Sequence, residues 1–237
     1  MLSRITLALT LALAAAQPAS AAMIEKTGRF GGLQITYKVL LPPGYDAAKT
    51  YPAVLVFTGG GQELRGAQNT IEADWRPEAE KRGYIVISPA APDAGLYFEG
   101  GDRAFPEFLD VMRRDYHVAP GRFHVAGHSN GGLSAFHIAA KYPSYFATVT
   151  GYPGLLDDPG QKVASLKPMC LYMHVGDMDD GWRAALRAQA DSMTRSGFRI
   201  AFTVEKNQVH RLKAAELNLP KRLFDEIESC AATPKAR

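Results

Sequence analysis

Short, wholly apolar runs alternate along this chain with longer stretches whose apolar positions recur every three to four residues. Residues 52–57 and 84–88 are runs of the first kind, the pattern of strands buried on both faces. Leu33–Leu41 alternates more loosely and reads as a strand of an N-terminal hairpin, closed by the turn Pro42-Pro43-Gly44. A helix is expected over 74–82, with Pro77 near its first turn and Gly83 at its end. Another starts near Arg103, with Phe105, Phe108, Leu109, Met112 and Tyr116 along one face. Strand 123–126, helix 131–141, strand 148–151 and strand 169–175 follow. Trp182, Ala185, Leu186, Gln189 and Met193 share a face of the next helix, which Gly197 ends, and a strand over 198–204 leads to a helix over 220–230 carrying Leu223, Phe224 and Ile227 inward.

Strands alternating with helices imply an α/β domain with a mostly parallel central sheet covered on both faces. Such sheets carry their sites at the carboxyl ends of the strands. The chain has no internal repeat or linker. Before this pattern, residues 1–22 read as an export signal: Arg4 is the basic start, 5–16 is an apolar run, and Ala19-Ser20-Ala21-Ala22 offers small residues for cleavage. The run is too short to span a membrane, and no cysteine follows it to accept a lipid. The expectation is therefore an exported protein, periplasmic or secreted, with one catalytic domain over 23–237 and no membrane insertion once the leader is removed.

Composition adds exclusions. With 27 basic against 24 acidic residues, a formal charge of +3 and no long basic block, nucleic acid is not an expected partner. Cys170 and Cys230 are the two cysteines, and an oxidising compartment would permit a disulfide between them. Two separate buried thiols are the alternative, since Cys170 falls in a strand pattern and Cys230 in the last helix. No feature fixes an oligomeric state.

Chemistry enters where strand 123–126 meets helix 131–141. There the chain reads Gly127-His128-Ser129-Asn130-Gly131-Gly132, the Gly-x-Ser-x-Gly pattern of a serine lifted onto a sharp strand-to-helix turn. A serine hydroxyl is a weak nucleophile and needs a general base with a group to orient it. On this kind of sheet the chain order is Ser, then Asp or Glu, then His. Only His210 follows the last candidate acids; His117, His124, His128, His137 and His174 precede them. The acid should hang from the loop after strand 169–175, where Asp177, Asp179 and Asp180 all qualify by spacing. The glycines of Thr58-Gly59-Gly60-Gly61 follow the first core strand and supply the expected second half of an oxyanion hole. Trp75, Tyr97, Phe98 and Trp182 fall in loops or at element ends, where their rings could line a substrate pocket. No metal-ligand spacing is present, and the chemistry calls for no cofactor.

With these residues in place, the chain resembles the α/β-hydrolase superfamily, specifically small exported esterases similar to feruloyl esterases and polyhydroxybutyrate depolymerases. The likeness runs through Leu41-Pro42-Pro43-Gly44-Tyr45, Tyr51-Pro52, the Thr58–Gly61 turn, the elbow, Gly176-Asp177-Met178-Asp179 and His210. It implies Ser129, Asp179 and His210 as a triad with Asp177 as the alternative acid, and the backbone N–H groups of Gly60 and Asn130 as oxyanion donors. It also implies an ester substrate, small or polymeric, reached without a large lid domain; the alternatives are a peptidase or acyltransferase using the same triad, or a non-catalytic binding protein on a hydrolase scaffold. The chain departs from the family at Thr58, where a histidine usually braces the glycine turn, and in the extra carboxylates of the acid loop.

Overall fold

The computed structural model describes residues 20–93, 95–119, 122–157 and 162–232. Most of the leader read over 1–22, residues 1–19, lies outside the described residues. An eight-stranded sheet in the order β1-β2-β4-β3-β5-β6-β7-β8 organises the rest. β1 (Ala22–Phe30) pairs antiparallel with β2 (Leu33–Leu41), and β2 pairs antiparallel with β4 (Ile85–Pro89). The remaining pairings are parallel, through β3 (Ala53–Phe57), β5 (Phe123–Gly127), β6 (Phe146–Gly151), β7 (Cys170–Gly176) and β8 (Arg199–Glu205). The hairpin partner of β2 thus precedes it, turning at Gly31-Gly32 rather than at Pro42–Gly44. β1 is an edge strand with mostly solvated side chains, so it shows no apolar run.

β3, β4, β5 and β7 are buried along their whole lengths, which is why they read as continuous apolar runs. Successive side chains point to opposite faces and feed two cores. Leu55 and Phe57 join Phe105, Phe108, Phe136, Leu186 and Met193 on one side; Val54 and Val56 join Trp75, Tyr152, Leu223 and Phe224 on the other.

The helices are α1 (Leu64–Thr70), α2 (Arg76–Arg82), α3 (Glu107–Asp115), α4 (Asn130–Lys141), α5 (Asp180–Arg195), α6 (Ala214–Leu217) and α7 (Leu219–Ala232). Several of them depart from the sequence pattern: α3 starts at Glu107 after a 3₁₀ turn over Gly101–Ala104, and α6 has no apolar periodicity to mark it. The helix expected to start at Asp74 instead begins at Leu64 and reaches Pro77 through a π-helical turn, Ile71–Trp75. Only Ala67 and Thr70 of α1 are buried, so its seven residues carry no apolar stripe. On α5 the buried positions are Leu186, Ala190 and Met193, while Ala185 is exposed and Trp182 half-buried. Among the described residues no helix is long and apolar enough to cross a membrane, and no large lid domain covers the carboxyl ends of the strands.

Cys170 and Cys230 are joined by a disulfide that ties the start of β7 to α7 across a sequence separation of 60. Closing a loop of that length restricts the unfolded chain by about 4 kcal/mol. Replacing both cysteines with alanine should lower the unfolding free energy by about that amount in urea titration; an unchanged midpoint would contradict it.

A second tie holds α7 to the sheet. Arg222 donates to both oxygens of Glu205 at 3.0 and 2.7 Å, and buried His174 meets Glu205 at 3.5 Å and Glu226 at 3.0 Å. The His174 imidazole and then Arg222 outweigh burial and hold the Glu205 carboxyl down at about 2. Burial pulls the His174 ring down, but the two carboxylates more than offset it and leave it raised. A carboxyl lowered by folding stabilises fully above its ordinary value, 4.5, and loses that contribution as pH falls toward 2. Glu205→Gln should therefore flatten the fall of Tm across that acid range; a parallel fall in variant and wild type would contradict the linkage.

Candidate active site

The carboxyl ends of β5, β7 and β8 bring three separated residues together. Ser129 follows β5 with φ 56 and ψ −127, a conformation costly for a residue with a side chain. Close packing enforces it: a Cβ on Gly127 would lie 2.2 Å from the Gly131 carbonyl oxygen, and one on Gly131 would lie 2.2 Å from that of Phe57. The Ser129 N–H donates to the Pro153 carbonyl at 2.8 Å. The hydroxyl thus stands at the start of α4, where backbone N–H groups lack helical partners.

His210 Nε2 lies 2.9 Å from Ser129 Oγ, and His210 Nδ1 lies 2.7 Å from Asp179 Oδ2. The three acids that spacing left equivalent occupy different places. Asp179 faces the imidazole. Asp177 turns back on the histidine loop, its Oδ1 accepting the Gln208 N–H at 3.3 Å. Asp180 is exposed in the first turn of α5 and pairs with Arg183. The two loops are joined again where the Met178 N–H donates to the Gln208 carbonyl at 3.0 Å.

The glycine turn after β3 sits against the elbow. Gly60 takes a positive φ of 61, and its carbonyl accepts from Asn130 Nδ2 at 2.9 Å. Gln62, fully buried, completes the clamp: its Nε2 donates to Ser134 Oγ at 2.7 Å and to the Asn130 carbonyl at 3.2 Å. Thr58, which stands where the resembling families usually carry a histidine, accepts from Thr70 Oγ1 at 3.0 Å. The bracing is therefore supplied by Gln62 and Asn130. Gln62 had no motif to mark it, although a polar residue directly after a glycine run was the available signal.

The four aromatic residues separate. Trp75 and Tyr97 are fully buried, with Trp75 Nε1 donating to Tyr152 Oη at 3.0 Å and Tyr97 Oη donating to the Ala90 carbonyl at 2.5 Å. Both rings fill the core, and the polar atom of each finds a partner there. Phe98 is half-buried in the following loop. Trp182 lies beside His210: its ring is 5.3 Å from the imidazole and lines a cleft of about 340 Å³ with Leu133, Leu155, Asp157, Gly181 and Ala185.

The other histidines have structural settings. His124 shares a hydrogen bond with Thr148 at 2.9 Å and is lowered to about 4 by burial, then by Arg122. His137 pairs with Asp102, His174 with Glu226, and His117 gives its carbonyl to the Tyr51 N–H. His128 packs behind the nucleophile 5.7 Å from the Tyr152 ring, lowered to about 3 by burial and by the nearby Arg211 and His210. It is a neutral ring, not a base.

No model of a known protein family matches the chain. Dipeptidyl-peptidase 5 of Porphyromonas gingivalis is 32% identical over 145 residues, covering 54% of this chain and 20% of the peptidase. An esterase of Mycobacterium tuberculosis is 31% identical over 133 residues, 49% of this chain and 28% of the esterase. The chain thus spans between a fifth and a third of the length of these two relatives. A solved ferulic acid esterase superposes with a TM-score of 0.72 at 16% identity, over 89% of this chain and 99% of that one. That likeness shows the fold.

Proposed function

We propose that this chain, which has the α/β-hydrolase fold, is an exported serine hydrolase that cleaves carboxylic esters, with its catalytic domain over 23–237 released from a leader over 1–22. The observation that carries the reading is the unbroken path from Ser129 Oγ to His210 Nε2 at 2.9 Å and from His210 Nδ1 to Asp179 Oδ2 at 2.7 Å. Ser129 attacks the ester carbonyl as His210 takes its proton, and Asp179 holds the imidazole in the tautomer whose Nε2 accepts. The N–H groups of Gly60 and Asn130 receive the oxyanion, a contribution of about 3–4 kcal/mol per donor to the transition state. His210 returns the proton to the leaving alcohol, the acyl-enzyme forms, and water releases it with His210 again as base. The Trp182 cleft seats one arm of the ester, small or polymeric.

The test is hydrolysis of p-nitrophenyl esters over a range of acyl lengths, beside a dipeptide p-nitroanilide. Turnover of the esters with slower turnover of the anilide is the expected result. Similarity to the peptidase of Porphyromonas gingivalis favours a second reading, amide cleavage by the same residues, and faster anilide turnover would select it.

A further inference from the structure

One buried carboxylate touches neither substrate nor imidazole yet connects the two halves of the site. Asp74 lies in the π-helical turn Ile71–Trp75, is fully buried, and sits away from Ser129 and His210 in sequence. Such turns break the regular helix ladder and often mark functional positions. Arg211, the residue after His210, brings Nη2 to within 2.9 and 2.8 Å of the two oxygens of Asp74. Tyr152 Oη donates to Asp74 Oδ2 at 3.3 Å and accepts from Trp75 Nε1. Tyr152 then holds the elbow: its N–H donates to the Gly127 carbonyl at 3.0 Å, and the next residue, Pro153, accepts the Ser129 N–H at 2.8 Å.

We propose that Asp74 is a positioning residue that sets nucleophile and base in register, holding the His210 loop through Arg211 and the Ser129 turn through Tyr152-Pro153. Only the carboxylate of this ion pair is buried, Arg211 being exposed, and its desolvation offsets much of the attraction, so the pair is weak ground for stability. Burial in fact pushes the Asp74 carboxyl up, and Arg211 and Tyr152 pull it back only in part. A registry role accounts for a pair that packing alone would not require. The pair also balances charge. His210 faces Asp179 at Nδ1 and Ser129 at Nε2, the Trp182 ring beside it, and the Arg211 cation with neutral His128 nearby. With Asp74 ionised, the Arg211 cation beside the His210 loop carries its counter-charge with it.

The inference rests on the esterase reading for its kinetic test, and a second readout makes the two separable. Asp74→Asn keeps the shape but leaves Arg211 uncompensated. It should lower kcat by about tenfold or more with little change in KM, as expected when alignment rather than binding is lost. It should also move the acid limb of the pH–rate profile, and the midpoint of the His210 ring titration by NMR, down by about half a pH unit or more. Arg211→Gln should lower kcat as well, but without moving that midpoint down. The double variant Asp74→Asn/Arg211→Gln should restore the midpoint while kcat stays low. A loss of stability alone cannot produce shifts that appear in one single variant and vanish in the double. If wild type turns over no ester, the proposed function fails and the ring titration still decides the positioning role. Folded Asp74→Asn with unchanged kcat and unchanged midpoint would overturn it, as would a fall in rate matched by the unfolded fraction with the midpoint unmoved.

Discussion

Ser129→Ala is expected to cut kcat/KM on a soluble p-nitrophenyl ester by about 10⁴-fold or more while leaving Tm close to wild type. In the proposed mechanism the hydroxyl oxygen is the atom that bonds to carbon, so the backbone N–H groups and the cleft that remain can only bind and polarise the ester. Its removal leaves the His210–Asp179 pair in place and opens no cavity in either core, since Ser129 stands at the mouth of the site. His210→Ala should cost about as much, and the double variant should be no worse than either, because the pair acts as a unit. Loss of less than about tenfold in folded Ser129→Ala would refute nucleophilic catalysis at this residue.

The second large effect separates the three aspartates. Asp179→Asn should lower kcat by about 10⁴-fold with KM nearly unchanged. An amide can donate to Nδ1, which stabilises the imidazole tautomer whose Nε2 already carries a proton and so cannot accept one from Ser129. Asp177→Asn should stay within a few fold of wild type, because the amide oxygen can still accept the Gln208 N–H that Asp177 Oδ1 receives at 3.3 Å. Asp180→Asn should likewise be mild, its exposed carboxylate serving Arg183 on the first turn of α5. A greater loss in Asp177→Asn than in Asp179→Asn would transfer the orienting role.

Legibility in the sequence followed burial. β3, β4, β5 and β7 are covered on both faces, so each leaves a run of apolar residues that periodicity detects. β1 and α1 leave none, the first because it is a solvated edge and the second because two buried residues do not make a stripe. The meeting of Ser129 with His210 could be expected because a strand-to-helix turn demands small neighbours and the fold a fixed chain order. Asp179 was not separable by spacing alone, since Asp177 differs from it in the loop contact it makes rather than in residue type. Trp75 and Tyr97 show the opposite failure: an aromatic ring at an element end reads the same whether it faces a cleft or a core, and here both face the core. Asp74 was hidden for a related reason. An acidic residue within a helical stretch ordinarily signals solvent, and only the fold brings Arg211 and Tyr152 onto it.

Nucleophilic attack by Ser129 is tested by the mass of the intact protein after reaction with a serine-directed fluorophosphonate, followed by peptide mapping. One adduct is expected, on the peptide carrying Ser129, formed rapidly by wild type, slowly by Asp179→Asn and not by Ser129→Ala. Folded wild type that takes up no adduct, or takes it up on another residue, would contradict it.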